Sequence, residues 1–552
     1  MIPTQSALPW PTATPRTGVG PLLTVMLGVT LPSLIATLLV LVGNGGEFAY
    51  GMDGPYIHMA MADQIRQGHY GLNPGEPASP SSSILYPFLL ALLSPLPFGA
   101  ATSLVFCLAA NAGSAALICL LAAECGIALR SVAPACLAAM AAALALGLNL
   151  VGLAMGGLEH APQVTFSLAA LLGLVRFCHR DRAESWWIAT LVLLPLLRFE
   201  TGSVTLGCIL AMLALGRWRL AASTVGILLL VLGGFFATMH ALGLPALPQS
   251  VISRSMVAGT GAASNWRHLP GSLVWILYTN LRVNLLSHGG AHILLGILVV
   301  GWGAVGGLGP RAPAVFRWTR PLAGFDRRDR ARLAAVSLFA CAGVAHVLAG
   351  SLVSISRYEI YVLALGLGAM LVVFDRPAAA LAGRLGPAAS AAICASFLLG
   401  GAGYALRSID AVKAAQALHA TDNQMARFVT DYWRGPVIVT RWGRINWRNP
   451  HVVAAMPPPT RLVPDAVQIE QAEAEAARRG IGLALLYDGG GTVEPPFWEP
   501  VARLAARRIG AGDTNFGITL YAVTPEAGPR IRAALAEFAP TVPAVTVLEI
   551  RP

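Results

Sequence analysis

Charge is scarce in this chain. Only 12% of its 552 residues are Asp, Glu, Lys or Arg, against 55% apolar residues, and the mean hydropathy is +0.64. A soluble protein of this length would divide into three or four domains and carry about a quarter of its residues charged. The shortage excludes a soluble cytosolic enzyme, a collagenous chain and a disordered tail protein. Cysteine is missing from the last 146 residues: all eight, from Cys107 to Cys394, lie in or beside apolar segments. A disulfide framework or a cysteine zinc site is therefore not expected. Internal repeats are also lacking, and the body has few acids, 13 in residues 1–406.

What charge there is sits unevenly. Residues 407–552 hold 30 of the 65 charged side chains, which divides the chain into a membrane body, 1–406, and a water-soluble tail, 407–552. The net charge of +11 does not call for nucleic acid, because much of the body's basic excess lies in short loops between apolar runs, where orientation accounts for it.

Four such loops, 176–182, 217–219, 311–332 and 376–384, belong on the cytoplasmic side by the positive-inside rule. A first span at 21–43 is too long and too late for a signal peptide and should stay as an anchor. Placing all four basic loops inside requires an odd number of crossings before the tail, provided that 83–96 and 270–288 lie on the outer surface. About eleven helices are expected, near 21–43, 99–123, 133–153, 161–177, 185–197, 200–216, 220–240, 290–309, 333–353, 358–374 and 387–406. The first loop (44–98), the loop 241–289 and the tail then share the outer side. A rival topology with 83–96 as a span moves Glu159 to the cytosol and breaks the agreement between the basic loops.

The tail reads as a small α/β domain, with strand-like runs at 437–440 and 484–487 and a charged, alanine-rich helix over 468–479. The Asp488-Gly489-Gly490-Gly491 run lacks the ending of a phosphate loop and reads as a turn. Pro457-Pro458-Pro459 marks a stiff loop.

Seven body acids fall outside or within the membrane on this map: Glu47, Asp53, Asp63, Glu76, Glu159, Glu200 and Glu359. Ionisable groups near membrane depth are costly, hence functional candidates. The first loop is the richest segment. Asp53 stands just before a helical pattern of Ile57, Met61 and Ile65, where a carboxylate can act as general base, with Tyr56, His58 and Arg66 available for polar ligands. The alternative is that Asp53 merely caps the helix that Gly54-Pro55 begins.

That loop resembles the first outer loop of the GT-C superfamily of polyprenyl-phosphate-sugar-dependent glycosyltransferases, most closely the branch containing cell-wall arabinofuranosyltransferases. The matching residues are Asp53, Tyr56, Ile57, Gly68, Asn73, Pro74, Gly75 and Glu76, followed by the serine-rich run Ser79 to Ser83. Gly54 stands where that branch carries a second Asp, which puts a two-carboxylate or metal mechanism in doubt. Further similarities follow in order: Gly157-Leu158-Glu159-His160, Arg198-Phe199-Glu200, Leu247-Pro248-Gln249-Ser250 with Arg254, and Arg357-Tyr358. The resemblance is patchy and spans about residues 20–375.

It implies a polytopic α-helical GT-C-like membrane protein with a small soluble C-terminal domain. It also implies an inverting hexosyl- or pentosyltransferase that moves sugar from a polyprenyl-phosphate donor to an envelope glycan, lipid or protein acceptor on the outer face of a bacterial-type inner membrane. Asp53 would be the base. Tyr56, His58, Glu159, His160 and Glu200 would bind sugar or acceptor, and Arg198, Arg254, Arg282 and Arg357 the departing phosphate. The bland alternatives are interfacial snorkelling for Arg282 and structural ion pairing of Glu159 and Glu200 with Arg198. No cofactor is called for, with a divalent metal left open; His58 and His160 lack metal-ligand spacing and are expected to hydrogen-bond. A transporter or flippase, or a non-catalytic assembly protein, is the rival reading; the former predicts repeats and broken midplane helices.

Overall fold

The computed structural model describes residues 18–73, 76–246, 269–285, 287–307, 321–322, 324–350, 357–455, 473–474, 476–488, 497–507 and 517–551. The chain begins with α1 (Val19–Gly43) and a first loop holding α2 (Gly54–Ile65), the hairpin β1 (Gly71–Asn73) and β2 (Glu76–Pro77), and α3 (Tyr86–Leu93). The body continues through α4 (Thr102–Glu124), α5 (Pro134–Gly147), α6 (Leu150–Gly156), α7 (His160–Arg180), α8 (Ser185–Leu197), α9 (Gly202–Ala214) and α10 (Trp218–Ala241). It ends with α11 (Leu269–Leu285), α12 (His288–Gly307), α13 (Arg327–Ala349), α14 (Ile360–Val373), α15 (Asp375–Ala382), α16 (Pro387–Gly400) and α17 (Ala402–Leu418).

Within the described residues every expected span falls on helix, but the helices are not eleven even crossings. Among the described residues six are long and apolar enough to cross a membrane, α1, α4, α7, α10, α12 and α13, or up to nine if each bent pair is one span. The bent pairs are α5 with α6 (63°), α14 with α15 (82°), and α16 with the helix Ala402–Trp433 (71°). The remaining expected spans are short: α8 has 13 residues, roughly 20 Å against the ~30 Å of hydrocarbon. A hydropathy window does not see these breaks, because local conformation makes them. Asn149, between α5 and α6, is left-handed at φ 50°, a conformation Asn tolerates better than most residues. The bend aims α6 at Gly157 and the start of α7.

Tight packing holds the bundle. Trp187 is fully buried against Gly173 and donates its indole N–H to the Ala170 carbonyl at 2.9 Å; Phe339 lies likewise on Gly366. Small residues at such contacts let helices approach closely. Ionic groups gather at the two ends. At one end, Glu124 meets Arg176 and Arg180 at 3.3 and 3.0 Å, Asp375 meets Arg328 and Arg332 at 2.5 and 2.8 Å, and Asp181 faces Arg217 and Arg330. Apart from Glu124 at the end of α4, these residues come from or beside the four basic loops. The first loop and the tail meet at the other end.

α17 crosses the 406/407 boundary and its helix runs on to Trp433 before the tail's sheet: β3 (Val437–Val439), β4 (Val452–Ala455), β5 (Leu483–Tyr487), β6 (Glu499–Ala506), β7 (Gly517–Ala522) and β8 (Thr546–Ile550). Their order is β4-β3-β5-β7-β6-β8. β3 is parallel to both neighbours and the other pairs are antiparallel. α18 (Ala527–Phe538) closes a separate core of Phe428, Leu485, Leu520, Ile531 and Phe538. The strands expected at 437–440 and 484–487 are β3 and β5. Of the expected helix 468–479, residues 473–474 and 476–479 are helical, and the rest lies outside the described residues. Asp488 accepts from Arg503 and Thr519 at 2.5 and 2.7 Å; the glycines after it and the triple proline lie outside the described residues.

Candidate active site

Asp53 occupies the N-cap position of α2, yet its side chain makes no capping hydrogen bond. It is only 6% exposed. Oδ2 lies 2.5 Å from Arg441 Nε of the tail, and Oδ1 is buried with no donor among the described residues. Burial pushes this carboxyl up to about 7, with Arg441 pulling it down and the nearby Asp422 pushing it further up. A Cβ on Gly54 would stand 2.7 Å from a Leu158 methyl, so Leu158 fills the space where a second carboxylate would project.

The next layer is a buried polar network that ties α2 to the turn before α7. Gly157, at φ 55°, can take this turn because it has no side chain; a Cβ there would collide with the Tyr50 ring. Its carbonyl accepts from Ser103 at 2.5 Å and Tyr86 at 3.1 Å, and Glu159 follows at the N-cap of α7. Glu159 is fully buried and is met by Arg198 at 2.6 Å, Ser82 at 2.5 Å and His58 Nε2 at 3.2 Å. His58 Nδ1 is in turn 3.0 Å from Ser81. Arg198 also bonds Glu200 through Nη2 and Nε at 2.5 and 3.0 Å. The ion-paired arrangement of Arg198 is thus present, with its guanidinium held by two carboxylates.

Arg357 differs. Among the described residues no carboxylate pairs with it; it reaches Met52 Sδ at 2.9 Å and the Tyr358 hydroxyl at 3.0 Å, which puts it beside the residue preceding Asp53. The Tyr358 ring lies under both Arg198 and Arg357, at 5.0 and 4.9 Å, and against His160 at 5.0 Å. The structure therefore brings together Asp53, Tyr56, His58, Glu159, His160, Arg198, Glu200 and Arg357. Arg282 is exposed on α11 and is not among the contacts that hold this cluster. Arg254 and the 247–250 motif lie outside the described residues. No group of three or more potential metal ligands is present among the described residues.

Sequence reasoning expected the tail to help bind acceptor or bound the cavity but did not find which tail residues reach the first loop. The segment after β3, Thr440 to Asn449, lays Arg441, Arg444, Trp447 and Arg448 along α2. Asp63 accepts from Arg448 at 2.9 and 3.2 Å and from the Trp447 indole at 3.2 Å. Arg444 covers the rings of Tyr56 and Trp447 at 5.7 and 5.6 Å. The available signal was compositional: three arginines and two tryptophans within eight residues directly after a strand.

No family model matches this chain, and no curated protein matches it. Some solved structures are similar to it at low identity. The apo oligosaccharyltransferase of Archaeoglobus fulgidus aligns with a TM-score of 0.48 at 12% identity, covering 91% of this chain and 74% of that one. ArnT from Cupriavidus metallidurans, solved with undecaprenyl phosphate, gives 0.43 at 12% identity over 90% of this chain and 98% of that one. The archaeal oligosaccharyltransferase AglB from Archaeoglobus fulgidus, with an inhibitory peptide and a dolichol-phosphate, gives 0.42 at 13% identity over 92% and 74%.

Proposed function

We propose that this protein is an integral-membrane glycosyltransferase of GT-C type that moves a hexosyl or pentosyl group from a polyprenyl-phosphate carrier to an acceptor hydroxyl on the tail-bearing, extracytoplasmic face. One observation carries the reading. Asp53, the acid that the first-loop motif marks as catalytic, is buried at a helix start without capping that helix. The carboxylate is thus spared the capping task, and its ion pair is with Arg441 of the tail.

In the proposed step the acceptor oxygen attacks the anomeric carbon from the face opposite the phosphate. Its proton passes to Asp53, the new C–O bond forms, and the old bond's electron pair leaves with the lipid phosphate, inverting the anomeric centre. Arg357 stabilises that phosphate, a role supported by its having no carboxylate partner among the described residues. Arg198, already held by Glu159 and Glu200, fixes the geometry around it. His58 and Ser82 link α2 and the serine run to Glu159, so the base and the buried ion pairs keep one relative position.

The test uses the purified full-length protein with a panel of undecaprenyl-phosphate-linked pentoses and hexoses and a native envelope fraction as acceptor. Asp53→Asn should fold and bind undecaprenyl phosphate while transfer falls by roughly 10²-fold or more. Equal transfer by the variant and wild type at equal abundance would remove Asp53 from the reaction and the reading with it.

A further inference from the structure

The contact between Asp53 and the tail has no counterpart among the residues that the motifs point to. We propose that Arg441 is a positioning residue of the transfer site: the C-terminal domain lends its guanidinium to Asp53, holding the carboxylate ionised and in one orientation. The inference rests on the glycosyltransferase reading and adds to it a role for a domain otherwise without one.

Three features of the geometry support it. First, Arg441 Nε lies 2.5 Å from Asp53 Oδ2, and the Arg441 guanidinium is steadied over the Tyr487 ring at 5.2 Å. Second, the segment comes this close only because residue 443 is glycine; a Cβ there would overlap the Asp53 carboxylate. Third, the approach is anchored just downstream of Arg441, by Arg444 Nε on Asn423 at 2.9 Å and by Arg448 and Trp447 on Asp63. An arginine on a free surface loop would have none of these restraints.

The chemistry explains the need. A general base must be ionised before it accepts a proton, and burial opposes ionisation. The ionisable neighbours of Asp53 are Arg441 on the tail segment, Asp422 on the helix that ends at Trp433, Tyr487 on β5 and Tyr56 on α2. Asp422 is itself buried and accepts from Thr421 at 2.8 Å and from the Tyr487 hydroxyl. Two buried carboxyl groups therefore face one guanidinium whose side chain is half exposed. Arg441 is the neighbouring cation that touches Asp53, and Asp422 is a second acid set against it.

This arrangement gives opposite signs for two substitutions. The readout is labelling of the Asp53-containing peptide by N,N′-dicyclohexylcarbodiimide, which reacts with protonated buried carboxyl groups, measured by mass spectrometry against pH on the full-length protein in nanodiscs. Arg441→Gln should move the labelling midpoint upward by about one pH unit or more, the usual scale for losing an adjacent opposite charge. Arg441→Lys should move it less. Gly443→Ala, which keeps the arginine but holds the segment off Asp53, should shift it in the same direction as Arg441→Gln. Asp422→Asn should move it downward. The acid limb of the transfer rate should follow each midpoint, a response that general loosening of the tail does not produce. An unmoved midpoint in Arg441→Gln, or a rise in transfer at every pH, would overturn the proposal. If Arg441→Gln fails to fold, the opposed signs of Gly443→Ala and Asp422→Asn decide it alone. Undiminished transfer by Asp53→Asn would instead sink the glycosyltransferase reading, and the labelling shifts would stand or fall separately.

Discussion

Arg198 and Glu159 meet at 2.6 Å with side chains 8% and 0% exposed, a charge pair removed from water at the join of α8 and α7. Removing one partner of such a pair strands the other. Arg198→Gln should cost about 3–5 kcal/mol, seen as a large fall in apparent Tm of the solubilised protein. The double variant Arg198→Met with Glu159→Met should lose clearly less than the sum of the losses of Arg198→Met alone and Glu159→Met alone. Additive losses would show that the two groups do not act as a pair.

Asp53 makes activity and stability respond to pH with opposite signs. Its carboxyl is raised from the usual value of 3.8 to about 7, so between those limits the folded protein binds more protons than the unfolded chain. Its contribution to stability is therefore greatest below about 4 and declines as pH rises to about 7. Base catalysis runs the other way and needs the ionised form. Transfer should rise through pH 7 while this site's contribution to thermal stability falls, and Asp53→Asn should flatten that stability trend. Parallel pH trends in wild type would contradict the assignment.

Gly157 combines a left-handed φ of 55° with a Tyr50 ring where a Cβ would go. Gly157→Ala should destabilise by about 1–3 kcal/mol, and Tyr50→Leu should restore part of the loss by removing the collision. Thermal unfolding of the three variants in detergent distinguishes collision from backbone strain.

The segregation of ion pairs gives a topology that labelling can check. Single cysteines at Glu47 and Arg448, introduced into a cysteine-free background, should react with an impermeant maleimide from one side of the membrane. Arg182→Cys should react only from the other. Labelling of Arg448→Cys together with Arg182→Cys would mean that the tail lies beside the basic end.

The membrane body was legible because a hydrophobic run long enough to cross lipid leaves few alternatives. Its breaks were not, since Asn149 and Gly157 look ordinary until their backbone angles are known. Asp53, Glu159, Arg198 and Arg357 were found from short motifs whose order along the chain matches their convergence in space. Arg441 escaped because its meaning is wholly long-range: nothing near Thr440 in sequence says which carboxylate it will meet. The capping alternative for Asp53 was reasonable on position, and only the direction of its side chain separates the two readings.

The helix Ala402–Trp433, α-helical to Leu418 and then passing through π-helical turns at His419–Asn423 and Phe428–Trp433, joins the bend after α16 to the sheet domain, a continuous rod of roughly 45 Å at helical rise. Asn423 and Asp422 on that rod are bonded to Arg444 and Tyr487 of the domain. A tilt of a few degrees at its membrane end therefore swings the Trp433 end by a few ångströms, enough to change a hydrogen-bonded contact. A change in bilayer thickness, to which helices can respond by tilting, is therefore expected to alter the spacing between Arg441 and Asp53.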